Sequence, residues 1–146
     1  MMPEYFEFYN PVKIMCGEAA LENIPYELTR LGAHKIFVLI SRTMLNDGIL
    51  ERIGGLGKAL IETDIPKDSY FAVVKKLAQK ALVAECDGVL AVGGGSVLDT
   101  AKVVRALISQ RKTNPRELLG NEWVQKSRRI IERIPFIMVP TKSGTG

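Results

Sequence analysis

The sequence predicts an α/β fold, a parallel β-sheet covered by helices. Three observations carry that prediction. Lys35–Ile40 (KIFVLI), Gly88–Val92 (GVLAV) and Phe136–Val139 (FIMV) are nearly unbroken apolar runs, the pattern of strands buried on both faces. Segments with apolar residues at helical spacing stand between them, and strand-helix alternation marks a parallel sheet. Three consecutive glycines, Gly93-Gly94-Gly95, join the second run to a helical segment. The 146 residues, 47% of them hydrophobic, suffice for one compact domain with a sizeable core.

Taken in order, Tyr5–Phe8 and Val12–Cys16 are short β-prone runs separated by Asn10-Pro11, and they predict an N-terminal hairpin or two edge strands. Glu18–Leu31 reads as a helix with Leu21, Ile24, Leu28 and Leu31 on one face. Pro25 should break or restart it, and Gly32 is a C-terminal stop. After the strand Lys35–Ile40, Leu45–Leu60 is a weaker helix interrupted by Gly54-Gly55, with a short strand at Ala59–Glu62. Ser69–Ala84 is a strong helix, capped by Ser69, with Phe71, Val74, Leu77, Ala78, Ala81 and Leu82 at helical spacing. A helix over about Val97–Ile108 follows the glycines. The polar stretch Ser109–Arg133 is a long connection with a short helix near Pro115–Leu119, and Phe136–Val139 runs into Pro140–Gly146.

Composition excludes several classes. No apolar run reaches the roughly 18 residues of a membrane helix. Met1–Asn10 is acidic and aromatic, unlike a signal peptide, so a cytoplasmic protein is expected. Cys16 and Cys86 are far apart and read as small apolar residues rather than a disulfide framework. The net charge of +4 and pI of about 9.1 owe much to Lys126, Arg128, Arg129 and Arg133. No aromatics interleave with them beyond Trp123, so they read as a solvated face, and neither a nucleic-acid nor a membrane partner is expected. The one histidine, His34, reads as a turn residue before a strand.

The chemistry lies in Val89–Lys102, VLAVGGGSVLDTAK. A buried strand ends, the glycines turn the chain, and Ser96 opens a helix. Glycines leave room for a ligand and permit positive φ, and a helix N-terminus offers N–H groups and partial positive charge suited to a pyrophosphate. A tight turn without a ligand is the competing reading. Ser96 and Asp99 match a capping pair. Asp99 serves either as cap or in the site, and Lys102 either pairs with Asp99 or contacts a ligand.

GGGSVLDTAK resembles the G-G-G-S-x-x-D-x-A-K signature of iron-containing (group III) alcohol dehydrogenases, and PTKSGTG resembles their P-T-T-x-G-T-G-S-E motif. FYNPVKIMCGEAALENI and KIFVLI with Ser41-Arg42-Thr43 resemble the family's first strands. The resemblance implies a Rossmann-like NAD(P)-binding domain over residues 1–146, with the family's helical metal-binding domain absent. It implies hydride transfer between alcohols and aldehydes or ketones, with NADP or NAD as cofactor. It implies that Gly94, Gly95 and Ser96, with Gly93, hold the pyrophosphate. Thr141, Ser143 and Thr145 would line the nicotinamide side. The iron or zinc ligands, an aspartate and several histidines, belong to the missing domain, so a divalent metal is expected only in a full-length enzyme. A homodimer is expected, with the first strand as an edge for pairing.

Three departures stand out: Lys142 replaces a usual threonine, Ser41 replaces a common aspartate, and the chain ends at Gly146, before Ser-Glu. With no acid between Ser41 and Asp47, Ser41 and Arg42 favour a 2′-phosphate and hence NADP(H); in the competing reading Ser41 caps the next turn and Arg42 faces solvent. Two other identities stay open, an enzyme of the dehydroquinate synthase or glycerol dehydrogenase type and a non-catalytic nucleotide-binding module.

Overall fold

The structure, a computed structural model, describes residues 5, 7, 10–66, 71–119 and 133–142. Four strands form one sheet: β1 (Lys35–Ile40), β2 (Lys58–Glu62), β3 (Gly88–Gly93) and β4 (Phe136–Pro140). Their order is β2-β1-β3-β4 and every pairing is parallel. The connections are α2 (Arg42–Asn46) with α3 (Ile49–Ile53), then α4 (Phe71–Val83), then α5 (Gly95–Ser109), while α1 (Ile24–Arg30) precedes the sheet.

The lack of alternation in β1 and β3 has a direct cause. Phe37, Leu39, Val89 and Ala91 pack on one face with Val74, Leu77 and Ala78 of α4 and Val97, Ala101 and Val104 of α5. Ile36, Val38, Ile40, Leu90 and Val92 pack on the other with Ile24 and Leu28 of α1 and Ile53 of α3. Both faces are covered, so both sets of residues must be apolar. Each large aliphatic side chain so buried contributes about 1.5–3 kcal/mol before the entropy of ordering it.

Several local expectations change. Residues 12–16 form no strand, and Val12, Ile14 and Met15 are exposed. A β-prone run becomes a strand only beside a partner, and the strands of the described sheet pair only with one another. The segment is tied down instead by Lys13, whose Nζ donates to Glu27 on α1. Lys13 first, and then Arg30, hold the buried Glu27 carboxyl below the usual carboxylate range. Tyr5 and Glu7 are also outside any strand, and the rest of the first run lies outside the described residues. Pro25 restarts rather than breaks the first helix: residues 17–23 form turns, and α1 carries the proline in its opening turn, where the missing N–H costs nothing. The weaker helix expected over 45–60 does end at Gly54, the C-cap of α3, but it is also split further up, because Gly48 turns left-handed (φ 72°) between α2 and α3. Phe71 is exposed at the start of α4, and its expected cap, Ser69, lies outside the described residues, as do Lys126, Arg128 and Arg129.

Three helices end alike. After α1, Gly32 donates to the Thr29 carbonyl and Ala33 to that of Leu28. After α4, Glu85 donates to Leu82 and Cys86 to Ala81; after α5, Arg111 donates to Ile108 and Lys112 to Leu107. This termination needs a left-handed residue, and glycine is the residue that adopts it freely. Gly32 meets the need at φ 85°, whereas Glu85 and Arg111 adopt φ 56° and 57° with a side chain. Replacing Glu85 with glycine should therefore raise unfolding free energy by about 0.5–1 kcal/mol. A denaturant midpoint no higher than wild type would refute this.

Candidate functional site

The strand order places a reversal between β1 and β3: from β1 the sheet grows one way to β2, and from β3 the other way to β4. In open parallel sheets, ligands bind at the carboxyl ends of the strands beside such a reversal. Three segments leave those ends together. Ser41 follows β1, and its N–H donates to the Val92 carbonyl at 3.1 Å; Thr141 follows β4, and its N–H donates to the Gly93 carbonyl at 3.0 Å. Ser41 and Thr141 thus flank the start of the glycine turn.

The turn differs from its sequence reading in two respects. None of Gly93, Gly94 and Gly95 has a positive φ, so glycine is not there for conformational freedom. Gly94, not Ser96, caps α5. Its backbone is extended, it offers no side-chain cap, and its carbonyl accepts from Val97 and Leu98, each at 3.1 Å. The chain enters the helix at Gly95, so Ser96 already has helical geometry and cannot take the capping conformation. The Ser96 carbonyl accepts from Thr100 Oγ1 at 2.7 Å. Asp99 and Lys102 pair with each other at 3.0 Å on the exposed face of α5, a surface pair worth at most about 1 kcal/mol.

The glycines divide by what a side chain would meet. A Cβ on Gly93 would lie 2.8 Å from Val97 Cγ2 and 2.9 Å from Val97 Cβ, so Gly93 permits the helix to close on the strand. Among the described residues, a Cβ on Gly94 would meet only Lys142 Cδ, at 3.8 Å, and one on Gly95 would meet nothing within 4 Å. Neither φ nor packing among the described residues calls for glycine at 94 or 95. Both leave open space over the first turn of α5, where backbone N–H groups lack helical acceptors. That space is the right kind of cradle for a phosphate group.

Of the remaining candidates, Ser41 caps α2, its Oγ accepting from the Met44 N–H at 3.3 Å, and Arg42 is exposed in the first turn of that helix. Ser143 and Thr145 lie outside the described residues. Lys142, read from sequence only as a departure from a motif, reaches over Gly94; its position two residues beyond the strand end, next to Thr141, was the available signal. His34 stands at the opposite, amino end of β1, where its N–H and that of Lys35 donate to Asp87 at 2.8 and 2.7 Å. Among the described residues no group of three or more His, Cys, Asp or Glu side chains could hold a metal ion. No helix among them is long and apolar enough to cross a membrane.

Fold and site define an open parallel-sheet α/β domain with a candidate phosphate cradle at the carboxyl ends of its strands. Residues 11–146 match the family described as iron-containing alcohol dehydrogenase, and the chain belongs to that family. It is 32% identical over 148 residues to the probable alcohol dehydrogenase EutG of Salmonella typhimurium, covering 95% of this chain and 35% of that protein. It is 32% identical over 133 residues to the 4-hydroxybutyrate dehydrogenase of Cupriavidus necator, covering 87% and 34%. It is 27% identical over 150 residues to the probable NADH-dependent butanol dehydrogenase 2 of Bacillus subtilis, covering 98% and 36%. The chain therefore spans about a third of the length of the curated relatives it matches. Among solved structures, an iron-containing alcohol dehydrogenase matches with TM-score 0.79 at 25% identity, over 97% of this chain and 39% of that one. The fold is also that of the sulfoacetaldehyde reductase of Bifidobacterium kashiwanohense, solved with NAD+ (TM-score 0.79, 21% identity, 98% and 38% covered).

Proposed function

We propose that this chain is the dinucleotide-binding part of an oxidoreductase that interconverts alcohols and aldehydes or ketones with NAD(H) or NADP(H). The observation that carries the reading is the pair Gly94 and Gly95 at the N-terminus of α5, glycines for which neither φ nor packing among the described residues accounts. A relative named for NADH dependence and a fold neighbour solved with NAD+ support the cofactor class. The bound nicotinamide supplies hydride transfer. The chain's own residues bind and orient it. Gly94, Gly95 and Ser96 receive the pyrophosphate through backbone N–H groups. Thr141, with Ser143 and Thr145, takes the nicotinamide side, and Asp99 and Lys102 border the same helix. Ser41 and Arg42, at the end of β1, take the adenosine ribose.

The ribose end also sets the choice of cofactor. With no carboxylate at Ser41 to repel a 2′-phosphate and the Arg42 guanidinium exposed beside it, NADPH should bind more tightly than NADH. One charge-assisted hydrogen bond corresponds to about ten- to a hundredfold. Fluorescence titration of the protein with both cofactors tests this, and Ser41→Asp should shift the preference toward NADH. Tighter NADH binding by the wild type would overturn the NADP(H) assignment while leaving the dinucleotide reading intact. Absence of binding to either would overturn both.

A further inference from the structure

We draw no further inference here: the strongest candidate, the groove of about 190 Å3 between α1 and the turn before β2, lined by Pro25, Leu28, Thr29, His34, Leu56 and Gly57 among others, carries nothing, because nothing in the structure shows what covers it.

Discussion

Gly95→Val is expected to cost the protein at least about a hundredfold in dinucleotide affinity, about 2.7 kcal/mol, with the fold as stable as wild type. The two halves of that expectation have separate causes. Gly95 is the first residue of α5, it is exposed, its φ is not positive, and a Cβ there would meet no atom of the described residues within 4 Å. Valine adds no clash with the described residues and no backbone strain, and it is a better helix former than glycine, so nothing local in the fold opposes it. The unfolding free energy should stay within about 0.5 kcal/mol of wild type. The ligand, by contrast, must approach the backbone closely to use the N–H groups of the first turn, and an isopropyl group occupies that approach. Gly95→Ala should fall between the two. Calorimetric titration with NADH beside denaturant unfolding of the same samples separates the effects. Unchanged affinity in Gly95→Val would show that the space over Gly95 is not where the diphosphate sits. A large loss of stability would show that the glycine serves the fold after all.

That separation was only half visible in the sequence. The sheet was legible because β1 and β3 are covered on both faces, and double burial leaves a continuous apolar run that needs no further context. The helix after the glycines was legible too, over about Val97–Ile108, and in the structure Val97, Ala101 and Val104 form its buried face. The cap was not. Whether Gly94 or Ser96 starts the helix depends on how closely Val97 can approach Gly93, a contact between strand and helix rather than a local preference. The role of the glycines was misjudged in the same way: positive φ is a reasonable expectation for three in a row, yet each of them takes a φ that any residue can adopt. The N-terminal runs carry strand propensity in Val12 and Ile14 but no partner strand among the described residues, and propensity without a ladder does not make a sheet. Lys142 was visible as an unusual letter in a motif; its place over Gly94 required the side chain's path.

Gly93→Ala should do the reverse of Gly95→Val and strike the fold first. The added Cβ would lie 2.8 Å from Val97 Cγ2, 2.9 Å from Val97 Cβ and 3.3 Å from Val97 Cγ1, closer than side-chain carbons pack. Neither partner can yield cheaply. Val97 is 5% exposed in the core beneath α5, and a β-branched side chain in a helix has essentially one χ1 rotamer. Gly93 ends a strand that is buried throughout, paired with β4, and its carbonyl holds Thr141. The strain must therefore lift the first turn of α5 from the sheet. Overpacking of this kind costs about 1–3 kcal/mol, and a chain of this size loses roughly 2–4 °C in Tm for each kcal/mol. Dinucleotide affinity should fall as well, because the displaced turn carries the Gly94–Gly95 cradle. Val97→Ala in the Gly93→Ala background removes both Cγ atoms and should recover part of the loss, although on its own it leaves a small cavity that destabilises. The double-mutant cycle then gives a coupling energy of the sign that relieves strain. Additive effects of the two substitutions, or a Gly93→Ala protein as stable as wild type, would mean that strand and helix do not meet at Gly93 as closely as described.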